Sequence, residues 1–441
     1  MLSEHPHGTR AQHIMTDITD RVPAEVVGKL GVLLREAEED VAKASQLFSS
    51  ARASKPNRRR RILKKPLSKS KLLVKRPAAH TANSQSAKQE EKARIAGEMR
   101  KFMKSRGKTL LLKMWAVVRQ AILPTAPCVT HGQHCPVHPS LKERAGRRYL
   151  IIGGNVCVPW STLGNTKGWI HSCTVAFVIW LADMMRASPE IIIDECTQAF
   201  DFESMAELLS PTYVCQSMKY SPTDLGVPTR RLRRYTIFLR KDCLRFEVEW
   251  TPASMQRVAW QEVCASGKVF FYAPKSYVAK VLSNIAKRRN LEHTSGTPAV
   301  EVLSPADKAR LDGHKEGAHA RGILFLAANL RQSSSFYKCD GMIPALTTKS
   351  TMVWGTDLCA PTKLDRPLLP QEMLAAHGFP VLLPPSDKLS QMLPPCLNFT
   401  AAMKDTGLNN QQVAAVVGNG MHIPRSVLHA WRQSQAAHQH N

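Results

Sequence analysis

Apolar positions recur at helical spacing in two early stretches of the chain. Between Val22 and Phe48, the residues Val26, Leu30, Leu33, Leu34 and Val41 follow steps of three, four and seven. That pattern predicts an amphipathic helix carrying the acidic run Glu36 to Asp40. Between Ala87 and Ile122, an apolar stripe runs through Met99, Phe102, Met103, Leu110, Leu111, Met114 and Trp115. A Met and aromatic stripe at this spacing is read as packing surface, and Pro124 and Pro127 end the helix. From Arg148 the pattern changes to short apolar runs. Tyr149 to Ile152 reads as a buried strand, Gly153-Gly154-Asn155 as a turn, and Val156 to Gly164 as a loop. An apolar helix follows from Thr174 to Met185. A second buried strand, Ile191 to Ile193, ends at Asp194-Glu195-Cys196-Thr197, and a third spans Tyr213 to Met218. Strand, helix and strand joined by short links predict an α/β fold with a parallel sheet. The chain shows no internal repeat.

Composition narrows the class. The 441 residues are 43% hydrophobic, which allows two or three domains with a sizeable core and excludes collagen-like and wholly disordered chains. The apolar stretch Cys173 to Ala182 ends at Asp183 and is too short to cross a bilayer, so no membrane partner is expected. The first residues hold no apolar run resembling a signal peptide. Eleven cysteines lie without framework spacing, which fits a reducing compartment.

Charge changes the picture further. The chain carries 61 Lys and Arg against 35 Asp and Glu, a formal net charge of +26, which makes nucleic acid the default partner. Residues 1–149 hold 31 of the basic and 12 of the acidic residues, net +19, which leaves +7 for the remainder. The segment Arg52 to Arg76 has twelve basic residues and no acidic one. Such a run is expected to be a disordered basic arm, and Arg58 to Arg61 with Lys64-Lys65 suit nuclear import or phosphate binding. A solvated tail is the alternative.

Two places carry candidate chemistry. In the first, Cys128, His131, His134, Cys135 and His138 fall within eleven residues. Cys and His are the preferred zinc ligands, and Cys128, His131, Cys135 and His138 are the candidate set for a structural zinc. A His-rich polar loop is the alternative. In the second, Cys157 and Glu195 each follow a predicted strand, on one edge of the sheet. A thiol and a carboxyl converging there suggest a nucleophile with an acid.

Five motifs in order give a resemblance. Val156-Cys157-Val158-Pro159-Trp160-Ser161-Thr162-Leu163-Gly164 resembles the catalytic loop PCQxFSxxG of the cytosine-5 DNA methyltransferase family. Glu195-Cys196-Thr197 stands where that family has Glu-Asn-Val. Asp224 to Arg233 is similar to its G-[IV]-P-Q-x-R-x-R block, with Tyr235 to Leu239 as the strand that follows. Arg366, Leu368, Pro370, Glu372 and Gly378-Phe379-Pro380 match R-x-L-x-P-x-E-x5-G-[FY]-P, and Gln412 with Gly418-Asn419 matches the closing block. The matches span residues 148–422.

The resemblance implies methyl transfer from S-adenosylmethionine to C5 of a flipped cytosine in DNA, by way of a Cys157 adduct at C6. It makes Cys157 the thiolate and Glu195 the group that holds N3 and the exocyclic amine, with Arg231 and Arg233 assisting. Ser161, Arg230, Thr347, Thr348 and Lys349 fall at DNA-facing positions, while Asn419 and Gly420 fall at cofactor positions. An exposed basic strand end is the alternative for the arginines. Residues 1–122 are then a basic, partly helical region and 123–147 a Cys/His-rich linker. Residues 148–243 form a catalytic subdomain, 244–365 an inserted target-recognition region, and 366–436 the return to the methyltransferase domain. The implied fold is a partial Rossmann-like sheet. No FxGxGG turn occurs in residues 1–149. Three expectations stay open: a partial chain, a protein partner supplying the cofactor subdomain, or a non-methylating nucleic-acid module. RNA, as tRNA, is a further substrate alternative.

Overall fold

The computed structural model describes residues 17–53, 79–161 (except 147), 166–246, 266–332 (except 293 and 295) and 340–378 (except 348, 349 and 351), with residues 15, 249, 251 and 412 singly. The basic clusters Arg58 to Arg61 and Lys64-Lys65 lie outside the described residues.

Both early periodicities form helices, α1 (Ala24–Ala53) and α2 (Ala79–Val118). They pack on each other and on α4 (Cys173–Ala187). Val26, Leu30 and Leu34 of α1 meet Leu110, Leu111, Met114 and Val118 of α2 in the same core as Val178, Leu181 and Met184 of α4. The later part of the stripe, Leu110, Leu111, Met114 and Trp115, is thus packing, as its spacing predicts, while Met99, Phe102 and Met103 are only half-buried. Each such side chain contributes about 1.5–3 kcal/mol on burial, so the N-terminal hairpin belongs to the main core. The chain then forms a hairpin of β1 (Thr125–Cys128) and β2 (Gln133–Pro136), followed by the single turn α3 (Leu141–Arg144). Pro124 lies just before it.

The main sheet contains β3 (Leu150–Gly154), β4 (Ile191–Thr197), β5 (Tyr213–Tyr220) and β6 (Arg233–Arg240), ordered β3-β4-β6-β5. β3, α4 and β4 make the expected parallel unit. Gly153 sits under Trp180 of α4, where a Cβ would come within 2.5 Å of the indole. β5 runs in the same direction as β4 but does not touch it. β6 inserts between them, antiparallel to both, so the sheet is mixed rather than parallel. The link 221–232 holds one short 3-10 turn and no crossover helix, which leaves an antiparallel return as the available path. Among the described residues, no strand pairs with the outer edge of β3. Ile192, Cys196, Tyr213 and Phe238 face α4 and α5 (Phe202–Leu209), while Ile191, Ile193, Tyr220, Tyr235 and Ile237 line the opposite face.

A second, antiparallel sheet contains β7 (Phe325–Asn329), β8 (Val353–Asp357) and β9 (Asp365–Pro367); α6 (Lys275–Arg288) packs on the 3-10 turn Ala299–Val302, while α7 (Pro305–His319) and α8 (Pro370–Ala376) pack on the sheet. β7 and β8 lie within residues 244–365, and β9 draws in Arg366 and Pro367 from the block after them. That block has a structural task. The Arg366 guanidinium grips Glu372 in a two-point pair at 2.8 and 2.7 Å, and Glu372 also accepts from the Leu369 and Ala273 amides. No helix among the described residues is long and apolar enough to cross a membrane.

Candidate active site

Parallel pairing of β3 with β4 sets the first part of the site. Gly154 stands opposite Glu195, and the Asn155 amide donates to the Glu195 carbonyl at 3.1 Å. Cys157 follows two residues later, half-buried. Its carbonyl accepts from the Trp160 and Ser161 amides at 3.0 and 2.9 Å, which folds the loop into a tight turn. Trp160 leaves the turn and packs edge-on against Trp169 and Phe200. Thr162 to Asn165, including Gly164, lie outside the described residues. Val156, Val158 and Leu232 expose apolar surface.

The start of β6 and the link before it supply the cations. Arg233 Nε lies 3.1 Å and Arg231 Nη2 3.7 Å from Glu195 Oε1. Neither contact is aligned as a hydrogen bond, so Oε1 is buried without one. Burial pushes the Glu195 carboxyl above its usual range, against the opposing pull of the two guanidinium groups. Arg231 is buried, which lowers its pKa, with Arg233 adding to the shift. Cys157 lies three residues beyond Gly154, the register partner of Glu195. The site therefore gathers Cys157, Glu195, Arg231 and Arg233 at one sheet edge. The exposed-strand-end alternative does not describe these arginines. Arg234, on the opposite face of β6, covers the Phe202 ring at 4.2 Å.

The insert is stitched to this edge. The Arg230 amide donates to the Ile343 carbonyl and the Ile343 amide to the Pro228 carbonyl, both at 2.9 Å. Arg231 Nη1 reaches the Leu346 carbonyl at 3.3 Å, and the Arg230 side chain pairs with Asp340. The Thr347 hydroxyl lies 3.1 Å from the Ser350 hydroxyl. Thr348, Lys349, Asn419 and Gly420 lie outside the described residues.

Sequence reasoning missed Asp194. It is wholly buried on the face of β4 opposite Glu195, and Asn155 Nδ2 donates to it at 2.6 Å. Burial first, and Glu195 second, push its carboxyl well above the usual range. Strand alternation in Ile-Ile-Ile-Asp-Glu was the available signal. Also missed was a shallow cleft before Cys157, lined by Asn155, Val156, Trp160, Trp169, Phe177 and Phe200 among others. It holds about 230 Å³, is open to solvent and has no carboxylate in its lining. Even with the open solvent above it counted, that is below the ~300 Å³ at which pockets for drug-sized ligands begin. This cleft by itself does not enclose a molecule the size of S-adenosylmethionine.

The expected zinc set is divided. His131 Nδ1 approaches Cys128 Sγ and Cys135 Sγ, whereas His138 points elsewhere. Its Nδ1 lies 2.7 Å from the Tyr149 hydroxyl and its Nε2 2.8 Å from Asp183 of α4. Arg21 pairs with the other oxygen of Asp183 and with the Leu123 carbonyl. Asp183 is therefore an anchor that ties Arg21 and His138 to α4.

No family model matches the sequence, and no curated protein matches it. Solved structures do. The methyltransferase EhMeth of Entamoeba histolytica is 14% identical with a TM-score of 0.38, covering 69% of this chain and 83% of that one. The Dnmt2 methyltransferase of S. pombe is 13% identical with a TM-score of 0.37, covering 66% and 78%. A putative DNA modification methyltransferase encoded within an E. coli prophage is 14% identical with a TM-score of 0.32, covering 64% and 79%. At these scores the functional reading stands on the residues of the site.

Proposed function

We propose that this chain is a cytosine-5 methyltransferase-like protein whose site captures a flipped cytosine of DNA. The observation that carries the reading is the convergence of Cys157 with the buried Glu195 and its two arginines. Cytosine N3 is an acceptor and its 4-amino group a donor. A protonated carboxyl answers both, and burial favours that form of Glu195. The Cys157 thiolate attacks C6, the C5–C6 double bond opens, and its electron pair moves through the ring toward N3 and O2. Glu195 shares its proton with N3, while Arg231 and Arg233 hold the developing charge. Methyl transfer to C5 would be the next stage.

That same observation favours a second reading, a nucleic-acid-binding module that retains base capture without methylation. On the first reading the cofactor half beside β3 comes either from a further segment of a longer chain or from a partner chain. The basic run Arg58 to Arg61 suits the nucleus and a phosphate backbone.

The test is a DNA duplex with one pyrimidin-2-one base, whose electron-poor ring prolongs a thiol adduct. A covalent band on a denaturing gel is expected from the wild type and none from Cys157→Ala. A band of equal strength from Cys157→Ala overturns the assignment. The matching RNA duplex separates the two nucleic acids. Label transfer from S-adenosylmethionine to an ordinary cytosine separates methylation from capture alone.

A further inference from the structure

We infer that Cys128, His131 and Cys135 form a metal centre for a zinc-class ion, independent of the base-capture site. The β1–β2 register places Ala126 opposite Cys135, so Cys128, two residues on from Ala126, lies on the same face as Cys135. Both thiols are buried. The turn between the strands closes through Gly132, whose φ of +63° favours glycine and whose amide donates to the Cys128 carbonyl at 2.8 Å. That turn brings His131 back over the thiol pair. His131 Nδ1 lies 3.5 Å from Cys128 Sγ and 3.3 Å from Cys135 Sγ. All three ligand atoms fall within 4.8 Å of one another.

These separations suit a tetrahedral ion. Zinc bonds of about 2.3 Å to sulfur and about 2.0–2.1 Å to nitrogen, at the tetrahedral angle, put S and N roughly 3.5 Å apart. Two thiolates and one imidazole select a borderline-soft ion over magnesium or calcium. The three protein ligands leave one position for a further ligand. His138 does not fill it, because both of its ring nitrogens are engaged at Tyr149 and Asp183.

The placement gives the ion a structural task. The Cys128 backbone also bridges to Met15 of the N-terminal segment, and Cys135 lies three residues before His138. An ion here would fix the hairpin that delivers His138 to the Asp183 anchor, and hold the N-terminal segment against it.

The full chain, loaded with zinc and dialysed against metal-free buffer, is expected to retain about one equivalent by elemental analysis. Cobalt substitution should give a thiolate charge-transfer band and the intense visible bands of a tetrahedral site. Two exposed histidines provide variants that leave the core untouched. His131→Ala should weaken metal affinity at least about tenfold, the size of effect that even indirect partners of a ligand have. His134→Ala should leave it unchanged. The inference is overturned if the wild type retains no metal, if the cobalt form shows no thiolate band, or if His131→Ala and His134→Ala bind equally. A Cys128–Cys135 disulfide in the freshly isolated protein, found by mass after alkylation, overturns it too.

Discussion

Asp183 and Glu195 are both buried carboxylates, with side chains 2% and 8% exposed, and each sits beside arginine. Their surroundings differ in geometry. Asp183 has a partner on each oxygen, Arg21 on one and His138 on the other. Burial alone would raise its carboxyl, but hydrogen bonds from His138 and Arg21 overcome that and hold it below 3.8. Glu195 has two cations at one oxygen, at 3.1 and 3.7 Å, and no hydrogen bond to that oxygen. Burial prevails there, and its carboxyl is raised. At Asp183 a donor on each oxygen, with the charge those donors bring, outweighs burial, whereas at Glu195 two guanidinium groups gathered on one oxygen do not. A satisfied acid anchors structure, and an unsatisfied one at a sheet edge is suited to take a ligand.

The sharpest way to break this contrast is to remove the partner that should matter most. Arg21→Ala leaves Asp183 buried with only His138. Its expected cost is about 3–5 kcal/mol in equilibrium denaturant unfolding, the size found when one member of a buried pair is removed. A loss of under about 1 kcal/mol would show that Asp183 is not the anchor.

Glu195→Gln should behave in the opposite way. It removes a charge that burial already disfavours and keeps the shape, so stability should change by no more than about 1 kcal/mol. Capture of the pyrimidin-2-one duplex should fall at least about 100-fold, as expected for loss of a positioned acid. If the stability cost instead equals that of Arg21→Ala, Glu195 serves the arginines as a structural counter-charge and the contrast fails.

The sequence was most informative about local features. The strands at 149–152, 191–193 and 213–218 were legible because short apolar runs end in turn residues. Cys157 and Glu195 were legible because each follows such a run. The spacing of Arg366 and Glu372 was visible, though its meaning, a clamp between β9 and α8, needed the tertiary contact. Long-range pairings were not legible. Arg21 and Asp183 meet across 162 positions, and nothing near either residue announces the other. The insertion of β6 between β4 and β5 is likewise a matter of strand order, which the alternation within each strand does not encode. His138 was assigned by proximity in sequence to Cys135, and the fold turned it toward α4.

The smallest expected effect concerns the second acid of β4, and it tests whether burial alone sets these carboxyls. Asp194 has one aligned donor, Asn155, and full burial, and its carboxyl is raised well above 3.8. A folded-state pKa above the unfolded one means that the native state binds more protons between the two values. Stability from this group is then fully present below pH 3.8 and is lost as pH rises through the folded value. Glu195 contributes with the same sign. Asp194→Asn keeps a carbonyl oxygen for Asn155 and carries no proton to lose. As pH rises above 3.8, the wild type should therefore lose more unfolding free energy than Asp194→Asn. The difference should vanish below pH 3.8, where the carboxyl is protonated in both states. Parallel curves would mean that Asp194 titrates normally, and that the single bond from Asn155 does for it what two partners do for Asp183.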